Sequence, residues 1–305
     1  MTDRKVTAIQ LNIWLISAVI GPMVFYADAS LDGIVLWSGV ISALCWCAVR
    51  YGSHWDGVIY NIVQCLWLSV VLSQLLPYSA DCWPTGEQTF PVVPLTLLAL
   101  ATVSALKDSK CTAGGISVLF WVLAFLLGIV FVAGVPELNG TYMASKEEAI
   151  DGSMIFVFLL PAAAGFLNRE KTGKLAFLVI AILGAAIPLW ICGILSPQIA
   201  SNAQWPFYEA AKSVQLFAVA KRLEPLVSAG ITVGNYALYS LLLCCLRNIG
   251  DKFQKGREAV FLGAGLSGSL MLLNVTIDPL YSAIICAILW IFLPLLGVLK
   301  KKQNE

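Results

Sequence analysis

Charged side chains are scarce in this sequence. Asp, Glu, Lys and Arg make up 12% of its 305 residues, about half the share of a soluble domain. So few charges cannot cover a water-soluble surface, which argues against a cytosolic enzyme and a disordered chain. Nor does one sign dominate. The 19 Lys and Arg stand against 18 Asp and Glu, so there is no basic field to hold nucleic acid. Histidine is almost missing: His54 is the only one, and beside Trp55 and Asp56 it reads as a solvated loop residue rather than a proton relay.

Apolar residues fill the space that charge leaves. They make up 59% of the chain, and the mean hydropathy is +0.83. A helix crossing a bilayer needs roughly 20 mainly apolar residues. Ten stretches qualify: residues 6–26, 30–49, 57–77, 88–106, 113–135, 150–167, 175–195, 223–246, 258–275 and 279–298. The expectation is an all-α integral membrane protein of ten transmembrane helices, one polytopic domain over residues 1–305. The first run is too long for a signal-peptide core and reads as an uncleaved span.

Charge placement tests the count. Lys and Arg accumulate on the cytoplasmic side. With the N-terminus inside, fifteen of the 19 basic residues fall in the tails and inner loops; Lys146, Lys212, Lys221 and Arg222 fall outside. A wrong count would scramble that parity. Both termini are therefore expected in the cytoplasm of a cell (inner) membrane.

The nine cysteines sit mostly inside spans, where they act as small apolar residues. Cys45 and Cys47 point to different sides of a helix and make a poor metal pair. The spans lack mid-membrane His, Asp and Glu, which an intramembrane enzyme would need. No enzymatic activity, cofactor or metal is expected.

A solute site without charged side chains can be built from a broken helix, whose freed N–H groups attract a carboxylate and whose carbonyls hold an ammonium or a cation. Two positions suit a break: Gly21-Pro22, within Ser17 to Met23 of the first span, and Pro161 to Gly165 in the sixth. Ser17, Gly21, Pro22, Pro161 and Gly165 are the candidate substrate-binding residues. The plainer reading of Pro161 is an ordinary kink. Residues 205–222 form an amphipathic stretch with Phe207, Ala210, Ala211, Val214, Phe217 and Ala218 on one side and Glu209, Lys212 and Lys221 away from it. It is either an outer lid or a helix lying in the headgroup layer. Gly263, Gly265, Ser267 and Gly268 offer small residues for close helix contact. Asn139-Gly-Thr141 fits a glycosylation acceptor.

Two of these motifs together resemble the spore germination B-subunit permeases of the amino acid–polyamine–organocation superfamily. Val6-Thr-Ala-Ile-Gln10-Leu11 leading to Gly21 is similar to that family's opening. Pro206-Phe-Tyr-Glu, followed by Arg222-Leu-Glu224-Pro-Leu226, is similar to its signature before the eighth span. The second glycine of the first-helix break is replaced near Met23, and the Gly-Phe-Glu segment of the sixth helix is absent. The resemblance implies a five-plus-five inverted repeat, residues 6–135 and 150–298, with an amino-acid site at the first and sixth helices. It also implies a nutrient-sensing role beside other germinant-receptor subunits, one a lipoprotein. Arg222 and Glu224 would pair as an outer gate, or else are a snorkelling pair at the interface. The alternative is a ten-helix drug/metabolite-type exporter, against which the long 196–222 segment speaks.

Overall fold

The computed structural model describes residues 6–23, 39–40, 42–44, 46–47, 57–81, 91–107, 109–143, 174–203, 206–214 and 224–296. Among these residues there are helices and no strands. In chain order the helices are α1 (Ala8–Met23), α2 (Val58–Asp81), α3 (Val92–Leu106), α4 (Ser109–Gly134) and the single turn α5 (Gly140–Met143). They continue with α6 (Lys174–Leu195), α7 (Pro197–Asn202), α8 (Pro206–Ser213), α9 (Glu224–Asp251), α10 (Gly256–Leu272) and α11 (Pro279–Ala287), which runs on into a π-helical turn, Ile288–Phe292.

Eight of the ten expected spans contain one of these helices. The second is described only at a few helical residues, and the sixth lies outside the described residues. Residues 58–77, 109–137, 176–195 and 227–251 are long and apolar enough to cross a bilayer. Residues 8–20, 92–106 and 281–296 form shorter apolar helices. At 1.5 Å per residue the 15 residues of α3 reach only about 22 Å, short of the roughly 30 Å hydrocarbon core.

The opening motif has a local role. Thr7 is the N-cap of α1 and Gln10 its third residue. The Thr7 amide donates to Gln10 Oε1 at 3.2 Å, and the Gln10 amide donates to Thr7 Oγ1 at 3.3 Å. This reciprocal capping box satisfies two amides that a helix start otherwise leaves unpaired.

The core is organised around α9, which packs against α1, α2, α3, α4, α8 and α10. Ala237 to Leu246 are buried without interruption. On one side α1 lies along α9, and the Trp14 indole donates to the Ala237 carbonyl at 2.9 Å. On the other, α10 closes on α2 and α9 through small residues. A Cβ on Gly263 would lie 2.7 Å from Leu246 Cδ1 and 3.2 Å from Ser69 Oγ, while Gly265 faces open space. The Ser267 hydroxyl reaches the Ser69 carbonyl at 2.9 Å. The expected small-residue seam is thus real, but Gly263 and Ser267 form it and Gly265 does not.

Helices α9 and α10 are joined by a tight hairpin. The Lys255 amide donates to the Gly250 carbonyl and the Gln254 amide to the Asp251 carbonyl, each at 3.0 Å. Gln254 sits at φ 59°. This is a Schellman ending with glutamine where glycine is usual. Helix α10 ends the same way, with Asn274 at φ 51° and bonds from Val275 to Leu270 and from Asn274 to Met271. The helix therefore stops at Leu272, three residues before the expected end of the ninth span.

Candidate functional site

Helix α1 carries three of the candidate residues. Trp14, Leu15, Ala18 and Val19 on it are buried, and so is Ser17. The Ser17 hydroxyl donates back to the Ile13 carbonyl at 2.8 Å, a local bond that favours helix bending. Gly21 and Pro22 lie in the last turn, which runs to Met23. The residues that follow, where the chain would leave the helix, are outside the described ones.

Two helices that pack against each other each bury a polar atom without a partner among the described residues: Asn12 Oδ1 on α1 and Ser240 Oγ on α9. Burying a polar group unpaired costs free energy, so each is a place where a bound solute or water would be stabilised. The sequence reading passed over both. It searched for ionisable groups and helix breaks, and neither residue is either.

A second polar feature runs between α2 and α11. Tyr60, Gln64, Trp67 and Gln74 repeat at helical spacing on α2. The Tyr60 hydroxyl donates to the Leu289 carbonyl at 2.6 Å, and Gln64 Nε2 donates to the Tyr60 hydroxyl at 2.8 Å. The Trp67 indole points to Cys286 Sγ at 3.2 Å, and the Ser282 hydroxyl donates to Gln74 Oε1 at 3.2 Å. Leu289 lies in the π-helical turn, a local form often found at functional sites. Trp290, in the same turn, buries its indole N–H without a partner among the described residues.

Where α6 ends and α9 begins, the bundle is capped by aromatics. The rings of Phe131 and Trp190 have centroids 5.0 Å apart, and those of Trp190 and Phe207 5.3 Å. Gly134 leaves room for the indole, since a Cβ there would lie 2.5 Å from Trp190 Cζ2. Phe207 seats α8 on α6, with Ala210, Ala211 and Val214 also buried, as the amphipathic pattern predicts. Lys212 Nζ pairs with Glu209 Oε1 at 2.8 Å on the exposed side.

No family model and no curated protein matches the chain. Among solved structures it is similar to Mhp1, a nucleobase-cation-symport-1 family transporter solved in a closed conformation with bromovinylhydantoin bound. Identity is 12%, the match covers 94% of this chain and 76% of that one, and the TM-score is 0.50. The likeness is one of fold.

Of the residues singled out from the sequence, Ser17, Gly21 and Pro22 share α1. Pro161, Gly165 and Arg222 lie outside the described residues, as do Phe217, Ala218 and His54. Glu224 is the first residue of α9. Asn139 accepts from the Thr141 amide at 3.0 Å and the Thr141 hydroxyl at 2.7 Å, so this triplet opens α5.

Proposed function

We propose that the chain is a ten-span permease-like protein of the five-plus-five inverted-repeat type. It binds a small amino-acid-type solute where the first and sixth helices break, and acts by binding rather than by chemistry. The observation that carries the reading is the burial of α1 in the middle of a transporter-like bundle, with Ser17, Asn12 and the Gly21-Pro22 turn on it and Ser240 on the helix beside it. Carbonyls freed in the last turn of α1, at Gly21-Pro22, would meet the ammonium end of a zwitterion, while Asn12 and Ser240, roughly 13 Å back along α1, would offer neutral hydrogen bonds on the path to it. Pro161 and Gly165 complete the site from the sixth helix. Arg222 and Glu224 gate it from outside, and both termini lie in the cytoplasm.

Two roles fit such a site: a transporter, or a nutrient-sensing subunit of a spore-germination receptor working with partner subunits. Counterflow of a labelled amino-acid mixture into proteoliposomes separates them. Uptake above protein-free vesicles identifies a carrier. Binding without uptake identifies a sensor, and neither binding nor uptake removes the proposal.

A further inference from the structure

Helices α3 and α10 pack against each other and are both short. The 15 residues of α3 start after Pro91, whose backbone is not helical, and stop at Lys107, which is extended. They reach about 22 Å. Helix α10 has 17 residues, but the first three are Gly256, Arg257 and Glu258. Its apolar run from Ala259 to Leu272 reaches about 21 Å. The Val275 amide then bonds back to the Leu270 carbonyl at 3.1 Å, so the chain reverses there and adds no length.

The two short helices are also in register. Arg247 at the end of α9 donates to the carbonyls of Ala105 and Lys107, and the hairpin joins α9 to the start of α10. The last turn of α3 and the first of α10 therefore lie at the same end of the bundle. A Cβ on Gly268 would be 3.5 Å from Leu98 Cδ2 and 3.9 Å from Leu95 Cδ2. From that level α10 continues about 6 Å to Leu272 and about 14 Å back to Ala259. Helix α3 extends about 5–9 Å to Val92 and about 12–17 Å to Leu106. The apolar stretches begin and end together.

Both helices turn apolar side chains outward. Val92, Leu100 and Val103 on α3 and Phe261, Leu262 and Leu272 on α10 are each more than half exposed. This flank offers lipid a belt about 8 Å shorter than a hydrocarbon core of roughly 30 Å. Helix α4, which also faces lipid, has 26 residues and reaches about 39 Å. A long helix can tilt to fit, but tilting a short one only reduces its reach. At one end of the flank Lys107 and Arg257 can snorkel to water. At the other, Asn274 is too short to do so, and the backbone groups of both helix ends there would be left in hydrocarbon.

We infer that the α3–α10 flank is a bilayer-thinning surface, whose partner is a patch of lipid compressed to about 22 Å. The compression is deeper in the leaflet beside Val92 and Asn274 than in the one beside Lys107 and Arg257. The inference rests on the chain being a membrane protein and not on any solute it binds.

The test is cryo-electron microscopy of the full chain in dioleoyl phosphatidylcholine nanodiscs, with a rigid antibody fragment as fiducial. Headgroup density should dip toward the protein midplane along α3 and α10, by about 8 Å over the two leaflets, and keep its full separation beside α4. Arg257→Leu/Glu258→Leu lengthens the apolar run of α10 by about 3 Å. It should make the dip shallower in the adjacent leaflet and leave the other unchanged. Headgroup layers of uniform separation around the unaltered chain would overturn the inference, as would a second copy of the chain covering the flank.

Discussion

Helices α4 and α9 are both long enough to span a membrane, yet they live in different solvents. Of the most apolar stretch in residues 109–137, 22% is buried in the protein, against 78% in residues 227–251. The more apolar helix is the more exposed one. Helix α4 shows Val118, Trp121, Phe125 and Val132 outward, whereas α9 buries Ser228, Asn235 and Ser240. In water the relation would be reversed. In a bilayer, lipid is as apolar as leucine, so polarity and small size mark the protein-facing side.

The contrast can be broken most severely at the small-residue seam. Gly263→Leu should destabilise the fold by about 3 kcal/mol or more through overpacking against Leu246 and Ser69, while Gly265→Leu, two residues away, should be nearly neutral. Thermal unfolding in detergent, followed by size-exclusion chromatography, reads both. A smaller effect is expected at Tyr239, which is fully buried and donates to the Leu75 carbonyl at 2.8 Å. Tyr239→Phe should cost about 1 kcal/mol, and the lipid-facing change Trp121→Phe should cost much less on the same assay.

Ser240→Ala sharpens the comparison differently. The hydroxyl has no partner among the described residues, so its loss should leave the thermal midpoint unchanged or slightly raised. If it meets solute, affinity should fall about five-fold, the effect of one neutral hydrogen bond. A drop in stability with unchanged binding would assign Ser240 to packing instead. The smallest effect is expected at the exposed Glu209–Lys212 pair, where Lys212→Ala should change stability by less than about 0.5 kcal/mol.

Much of the bundle was legible because span length and hydropathy are set by the bilayer. The start of α2, both edges of α6, the buried face of α8 and the role of Gly263 were all readable. The centre of the bundle was not. Apolar residues surround α4 and α9 alike, so periodicity does not say that one is a hub and the other faces lipid. The Tyr60–Gln64–Trp67–Gln74 stripe was present at helical spacing, and a search for polar rather than ionisable periodicity would have found it. The turns at Gln254 and Asn274 escaped because neither carries the glycine that usually marks them. The break at Gly21-Pro22 was proposed from composition, and the described helix includes both residues up to Met23.

The most direct test is equilibrium binding of a labelled amino-acid mixture to the chain in nanodiscs, comparing the unaltered protein with Gly21→Leu. A transporter and a sensor must both bind. The account predicts saturable binding that Gly21→Leu abolishes while the thermal midpoint is kept. Binding that survives the substitution unchanged, or no binding by a correctly folded chain, would contradict a solute site on the first helix.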